Sequence, residues 1–121
     1  MKQPSPDHPI SIEANPHRVR VLLGGVIVAE TTRALTLKEA SLPAVQYIPR
    51  EDVATDLLER SSRKTQCPYK GDASYWDVTA GGIRARDAVW SYENPSDAVK
   101  GIAGHLAFYP RKVDAIEELR D

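Results

Sequence analysis

Two glycine pairs, Gly24-Gly25 and Gly81-Gly82, constrain the fold of this chain more than any other feature of its sequence. Adjacent glycines adopt the positive φ angles that a two-residue hairpin turn requires, so each pair favours a turn between antiparallel strands. In the segment RVRVLL before the first pair, valines alternate with arginines, and the alternation continues in VIVA after it. The sequence therefore predicts a β-hairpin over residues 18–29 and a second hairpin around residues 81–82.

Short apolar runs and turn residues divide the rest of the chain into further strands. The runs ALTLKE (residues 34–39) and AVQYIP (residues 44–49) each predict one strand. Gly71-Asp72 is a further turn signal, and we expect strands on both sides of it. HLAFYP, residues 105–110, predicts a short final strand.

Helical patterns are few and short. EDVATDLLER, residues 51–60, predicts a helix of two to three turns that Asp52 caps and that must dock on a sheet to persist. The charged segment at the carboxyl end, RKVDAIEELRD, predicts a short helix-like segment capped by Asp114.

The length of 121 residues predicts a single domain. Residues 1–17 contain four prolines and no periodic pattern, so we expect a loose lead-in followed by one β-rich domain over residues 18–121. Strands joined by two-residue turns pair with their sequence neighbours in antiparallel fashion. The predicted fold class is therefore mainly β: two small antiparallel sheets packed as a sandwich or a partly open barrel, with one or two short helices.

Composition and charge argue against several classes of function. The formal net charge of −1 argues against a nucleic-acid partner, because nucleic-acid binders usually carry a basic excess. The single cysteine excludes an intramolecular disulfide and a zinc site built from paired cysteines, and we predict no metal site. No run is apolar enough for a signal peptide or a membrane span, so we expect a soluble cytoplasmic protein with no membrane partner. No nucleotide-binding loop is present and no cofactor is predicted; the chain could act as a monomer or a homo-oligomer.

A set of motifs spans most of the chain. TQCPYKG, residues 65–71, is followed by Tyr75-Trp76, by the segment Trp90–Tyr92 and by Phe108-Tyr109. Together they resemble the bacterial domain-of-unknown-function family 427, over about residues 18–109. The resemblance implies a small, single-domain, β-rich protein, and the family has carried a nucleotidyltransferase-like label. Nucleotidyl transfer of the polymerase-β kind uses carboxylates, often spaced Asp-x-Asp, to hold Mg²⁺, and no such spacing occurs in this sequence.

Cys67 is the candidate nucleophile, because a neighbouring cation lowers the pKa of a thiol and Lys70 is three residues away. His105 is the candidate base, provided that the fold brings it to the cysteine. Residues three apart on an extended strand point to opposite faces, so Lys70 helps Cys67 only if the backbone bends between them. The alternative is that Cys67 is a small, buried apolar side chain without a catalytic role.

Basic and aromatic residues in the second half of the chain suggest a ligand site. Arg84 and Arg86 share one face of a predicted strand and, with Lys70, suit a phosphate or carboxylate ligand. Trp90 and Tyr92 also share a face, and with Tyr47 they could line a pocket. The alternatives are a solvated sheet edge for the cations and ordinary core packing for the aromatic rings.

Three functions therefore stay open. The first is binding of a small polar or anionic ligand in a pocket around Lys70 and Trp90, with or without catalysis. The second is a protein-interaction module without a catalytic site, which predicts an exposed apolar patch and no enclosed cleft. The third is a nucleotidyltransferase-like enzyme, as the family label suggests. The sequence does not decide whether the protein is an enzyme.

Overall fold

The computed structural model describes residues 2–120, and β-strands dominate this part of the chain. The mainly-β class predicted from the sequence is confirmed. The strands in the described range are β1 (Ile10–Ala14), β2 (Arg18–Leu23), β3 (Val26–Thr31), β4 (Leu35–Glu39), β5 (Val45–Tyr47), β6 (Leu58–Cys67), β7 (Gly71–Ala80), β8 (Ile83–Ser91), β9 (Ala107–Phe108) and β10 (Ala115–Leu119). The helical segments in this range are 3₁₀ turns at Arg50–Asp52, Thr55–Leu57, Asp97–Ile102 and Pro110–Lys112.

The described strands form three antiparallel sheets, one more than the sequence predicted. The first sheet has the order β1-β4-β5, the second β10-β2-β3 and the third β6-β7-β8-β9. A bridge between Ile48 and Leu106 joins the end of β5 in the first sheet to the third sheet beside β9. A second bridge, between Ala29 and Val53, ties the second sheet to the segment that leads into β6. The three sheets are thus linked to one another through isolated backbone bridges.

The two glycine-pair turns form as predicted, and they pack directly on each other. Gly24 and Gly81 have φ angles of 59° and 57°, and a Cβ atom on Gly81 would lie 1.9 Å from the carbonyl oxygen of Gly24. Glycine is therefore required at both positions by the positive φ and by the close approach of the backbones. The predicted turn at Gly71-Asp72 is displaced: the turn lies at residues 68–70, and Gly71 begins β7 opposite Cys67.

The helix predicted over residues 51–60 is wrong. Two separate 3₁₀ turns occupy this segment, because Val53 between them is extended and bridges to Ala29. The Asp52 carboxylate does not cap a helix; it accepts hydrogen bonds from Thr31 Oγ1 and Arg33 Nη2. Backbone pairing with the second sheet outweighs the marginal stability of so short a helix.

Both chain ends are more ordered than the sequence predicted. The lead-in expected over residues 1–17 includes β1, which pairs along its length with β4. The helix-like segment expected after Asp114 is strand β10, which pairs with β2. Asp114 itself accepts a hydrogen bond from the backbone N–H of Gly24. In both cases an unpaired sheet edge supplies backbone partners that an isolated short segment lacks.

Buried side chains form two clusters with different compositions. The first cluster lies between the second and third sheets and is mainly aliphatic; its valines include Val19, Val28, Val78 and Val89. The second cluster lies between the first and third sheets and includes three tyrosines, Tyr47, Tyr75 and Tyr92. No helix of residues 2–120 has the length and apolar character needed to cross a membrane.

Candidate functional site

A cavity of about 180 Å³ opens in the second cluster, between the first and third sheets. Four of the residues predicted to bind a ligand line it: Tyr47 from β5, Lys70 from the turn before β7, Trp90 from the end of β8, and Tyr92 directly after that strand. Its remaining lining residues are Leu37, Glu39, Leu42, Pro43, Val45, Tyr75 and Tyr109. Trp90 and Tyr92 both face this cavity, as the sequence indicated, although Tyr92 lies one residue beyond the end of β8.

A buried ion pair forms the polar end of this cavity. Lys70 is 8% exposed and Glu39 is 7% exposed, and the lysine Nζ donates a hydrogen bond to Glu39 Oε1. The other carboxylate oxygen, Oε2, lies 2.7 Å from His8 Nε2. Lys70 Nζ also lies 5.7 Å from the ring centroid of Tyr92. Each charge is thus held in place by a partner, as buried charges require.

The ionisation of Glu39 follows from these contacts. Burial alone raises the pKa of a carboxyl group, because it disfavours the charged form. The hydrogen bonds and charges of Lys70 and His8 outweigh that effect and hold the pKa of Glu39 below its ordinary value. Glu39 is therefore a carboxylate near neutral pH, and its negative charge balances the ammonium of Lys70.

Tyr47 and Trp90 form the next part of the wall. The indole Nε1–H of Trp90 donates a hydrogen bond of 3.2 Å to Tyr47 Oη, and the two rings meet edge to face at 6.2 Å. Burial raises the pKa of Tyr47, and burial likewise raises the pKa of Tyr92. Both phenols therefore stay protonated and can donate a hydrogen bond to a ligand acceptor.

Tyr75 and Tyr109 complete the wall as a pair of phenols. Their rings are parallel at 6.4 Å, and their hydroxyl oxygens lie 3.4 Å apart. Burial acts to raise the pKa of Tyr75, but hydrogen bonds with Thr65, Tyr109 and Arg63 outweigh it and lower the pKa. Burial and the hydrogen bond with Tyr75 raise the pKa of Tyr109 to about 12. The two neighbouring phenols therefore differ in how readily they release a proton.

Comparison with family models identifies the family of this chain. A family model described as a domain of unknown function, DUF427, matches residues 11–119. The chain belongs to the DUF427 family. The resemblance seen in the sequence motifs is thereby confirmed, and these motifs supply Lys70, Tyr75, Trp90, Tyr92 and Tyr109 to the cavity of this DUF427 domain. A search of curated proteins found no match to the chain.

In this DUF427 domain the two predicted catalytic residues are not brought together. Cys67 ends β6 and packs, half-buried, against the second cluster, where it does not line the cavity. His105 lies in another surface depression, with Arg33 and Arg50, and its Nδ1 is 3.3 Å from the carbonyl oxygen of Ala103. Within residues 2–120, no hydrogen bond or shared cavity joins Cys67 to His105, so His105 is not placed to act as a base for the thiol.

Arg84 and Arg86 also lie apart from the cavity. The Arg84 guanidinium donates a 2.8 Å hydrogen bond to Asp77 Oδ2, and Oδ1 accepts from the backbone N–H of Asp87, which has a φ of 50°. The hydrogen bond from Arg84, and then that from Asp87, lowers the pKa of Asp77. Arg86 is exposed, and its carbonyl accepts a hydrogen bond from Lys112. Arg84 stabilises an irregularity in the β7–β8 pairing and does not face the cavity.

Several cavity residues were missing from the sequence prediction. Tyr75 and Tyr109 stood within the family motifs, and the concentration of aromatic residues after Tyr47 was the signal that could have included them. Glu39 and His8 had no such signal, because Glu39 is 31 residues from Lys70 and His8 belongs to the supposed loose lead-in. The ring of His8 stacks on Tyr69 at 3.8 Å, which holds this amino-terminal segment over the turn that carries Lys70.

Proposed function

We propose that this DUF427 domain binds a small molecule with a polar or anionic group in the cavity between the first and third sheets. The observation that carries the proposal is that Lys70 and Trp90 line one cavity together with Tyr47 and Tyr92. Ligand sites are typically concave and largely aromatic or apolar, with a few convergent polar groups, and this cavity has that composition.

The lining suggests how a ligand would be recognised. A hydrogen-bond acceptor group of the ligand, neutral or anionic, would lie beside the Lys70–Glu39 pair. It would accept a hydrogen bond from an ammonium N–H of Lys70 that Glu39 does not use and from the protonated phenols of Tyr47 and Tyr92. A volume of about 180 Å³ is slightly larger than the roughly 150 Å³ of an apolar cavity that holds benzene. The part of the ligand inside this cavity should therefore be about the size of one ring. Leu42, which is 59% exposed at the rim, could cover it.

The two other functions have less support. An interaction module would present a large exposed apolar patch, whereas the large exposed apolar residues in the described range are three: Ile27, Leu42 and Ile83. The short name of the family refers to NTP transfer. Among residues 2–120, no group of three or more His, Cys, Asp or Glu side chains is arranged to hold a metal ion.

A thermal-shift screen tests the proposal, because a ligand that binds only the folded state raises the unfolding midpoint. Small carboxylates, phosphates and carboxamides are the compounds to screen. We expect at least one class to stabilise the wild type and to lose its effect in Lys70→Met and in Tyr92→Phe. The matched control is Lys64→Met, which removes an exposed lysine on β6 outside the cavity. The proposal fails if no class stabilises the protein, or if the shifts survive in both cavity variants.

A further inference from the structure

A second cavity, of about 230 Å³, adjoins the first and is more apolar. Its lining residues are Val21, Ala44, Val45, Gln46, Ile48, Trp90, Phe108, Pro110 and Ile116. None of these carries a charge, in contrast to Glu39 and Lys70 in the first cavity. Val45 and Trp90 line both cavities, so these two side chains form the boundary that the two spaces share.

Trp90 is suited to stand between a polar and an apolar space. Its indole N–H is bonded to Tyr47 Oη in the first cavity, and its ring lies 4.3 Å from the ring of Tyr109. The polar edge of the indole is therefore committed to the first cavity, and the hydrocarbon of Trp90 and Val45 remains to contact a ligand in the second. Trp90 is only half-buried, so part of its surface is open to contact.

We propose that the ligand has two parts: a polar head that binds beside Lys70, and a hydrocarbon tail that binds in the second cavity across Val45 and Trp90. This inference rests on the proposed function and adds the chemical class of the ligand. The physical reason is that an open cavity lined by Val21, Ile48 and Phe108 exposes apolar surface to water, and a hydrocarbon group removes that surface from water. The volume is sufficient for a chain of several carbons or one aromatic ring.

A homologous series of straight-chain carboxylates, from propionate to octanoate, tests this inference by isothermal titration calorimetry. Each methylene that enters the second cavity is expected to tighten binding roughly fourfold, as burial of one methylene does elsewhere. The corresponding n-alcohols share the tail without the anionic head, and we expect them to bind at least tenfold more weakly at each length.

Two variants change the second cavity without touching the polar end. Ala44→Phe, at an exposed position of the lining, should fill part of the space and abolish the dependence on chain length while leaving propionate affinity unchanged. Ile116→Ala should enlarge the space and move the tightest binding to a chain that is one or two carbons longer. The matched control is Ala103→Phe, an exposed alanine that lines a different depression. It should bind the series as the wild type does.

The possible outcomes distinguish a failure of the two-part ligand inference from a failure of the proposed function. If short carboxylates bind and lose affinity in Tyr92→Phe, but chain length has no effect, the ligand occupies the first cavity alone and the two-part inference is overturned. If chain length matters equally in Ala44→Phe and the wild type, the tail binds elsewhere and the inference is again overturned. If no carboxylate or alcohol binds, the inference falls, and the thermal-shift screen decides the proposed function by itself.

Discussion

The two clusters of buried side chains differ in composition and in the chemical groups that they contain. The first, between the second and third sheets, uses valines such as Val19, Val78 and Val89, all 0% exposed, which fill space with stiff branched side chains and bury no polar atom of their own. The second uses tyrosines around the Lys70–Glu39 pair, and their hydroxyl groups need partners or a ligand. The first, mainly aliphatic cluster therefore stabilises the fold chiefly through apolar burial, whereas the second, aromatic cluster also presents hydrogen-bonding groups to a cavity.

The largest effect on stability is expected at the two glycine-pair turns, which pack on each other beside the first cluster. Gly81→Ala would place a Cβ atom 1.9 Å from a backbone oxygen of Gly24, so the two turns must move apart. We expect a loss of about 4 kcal/mol of unfolding free energy, from overpacking together with left-handed strain. Urea denaturation measures it. Gly82→Ala is the matched control, since its φ of 78° is also positive but its Cβ would meet nothing within 4 Å. A loss in Gly81→Ala no larger than the roughly 1 kcal/mol expected of the control would contradict the packed-turn interpretation.

The next largest effect on stability is expected at the Lys70–Glu39 ion pair beside the second cluster. Glu39→Leu leaves the ammonium of Lys70 buried without its partner and should lower the unfolding free energy by about 3 kcal/mol. Glu39→Leu combined with Lys70→Met should recover most of that loss, because no unpaired charge remains. Urea denaturation of both variants decides this. Equal losses in the single and the double variant would mean that the pair is not coupled in the folded protein.

A smaller difference should separate the two clusters directly. Val89→Ala removes a fully buried side chain from the aliphatic cluster and should cost about 2 kcal/mol through lost burial and a residual cavity. Tyr92→Phe keeps its ring and removes only the hydroxyl at the cavity, so we expect a change of less than about 1 kcal/mol in stability, together with lost ligand binding. A larger loss of stability in Tyr92→Phe than in Val89→Ala would contradict this difference between the two clusters.

Acid should weaken the protein through its carboxylates. The pKa values of Glu39 and Asp77 are both lower in the folded protein than the ordinary values of 4.5 and 3.8. Their contribution to stability is therefore fully present above the ordinary values and is lost as the pH falls through the lowered ones. Chemical denaturation at a series of pH values below 5 measures this loss. Glu39→Gln and Asp77→Asn should each flatten the dependence, and an unchanged slope in both would contradict the assignment.

The smallest expected effect concerns the paired phenols. Because the pKa of Tyr75 is lowered and that of Tyr109 is raised to about 12, Tyr75 should ionise before Tyr109 in an alkaline titration. Ultraviolet difference spectroscopy follows the phenolates. Tyr75→Phe should remove an early-ionising tyrosine, whereas Tyr109→Phe should remove a late one. The reverse order would show that the hydrogen bonds at Tyr75 do not favour its phenolate.

The turns and the alternating strands were predictable because their causes are local. Gly24-Gly25 selects a hairpin by backbone conformation alone, and RVRVLL carries its own burial pattern. Residues 51–60, β1 and β10 were mispredicted because short segments take their structure from the partner they meet. Residues 115–119 form a strand since β2 offers them an edge, and an isolated helix of that length would be marginal.

For the candidate site, the sequence was sufficient to recognise the family and to show that aromatic residues concentrate in the second half of the chain. It also indicated Lys70 and Trp90 as candidate ligand-binding residues. The contacts of Glu39 with Lys70 and His8, the hydrogen bond from Arg84 to Asp77, and the separation of Cys67 from His105 depend on the packing of the sheets and could not be read from the sequence. Local preferences propagate over a few residues, whereas an ion pair between residues 31 positions apart exists only once the sheets that carry them have packed.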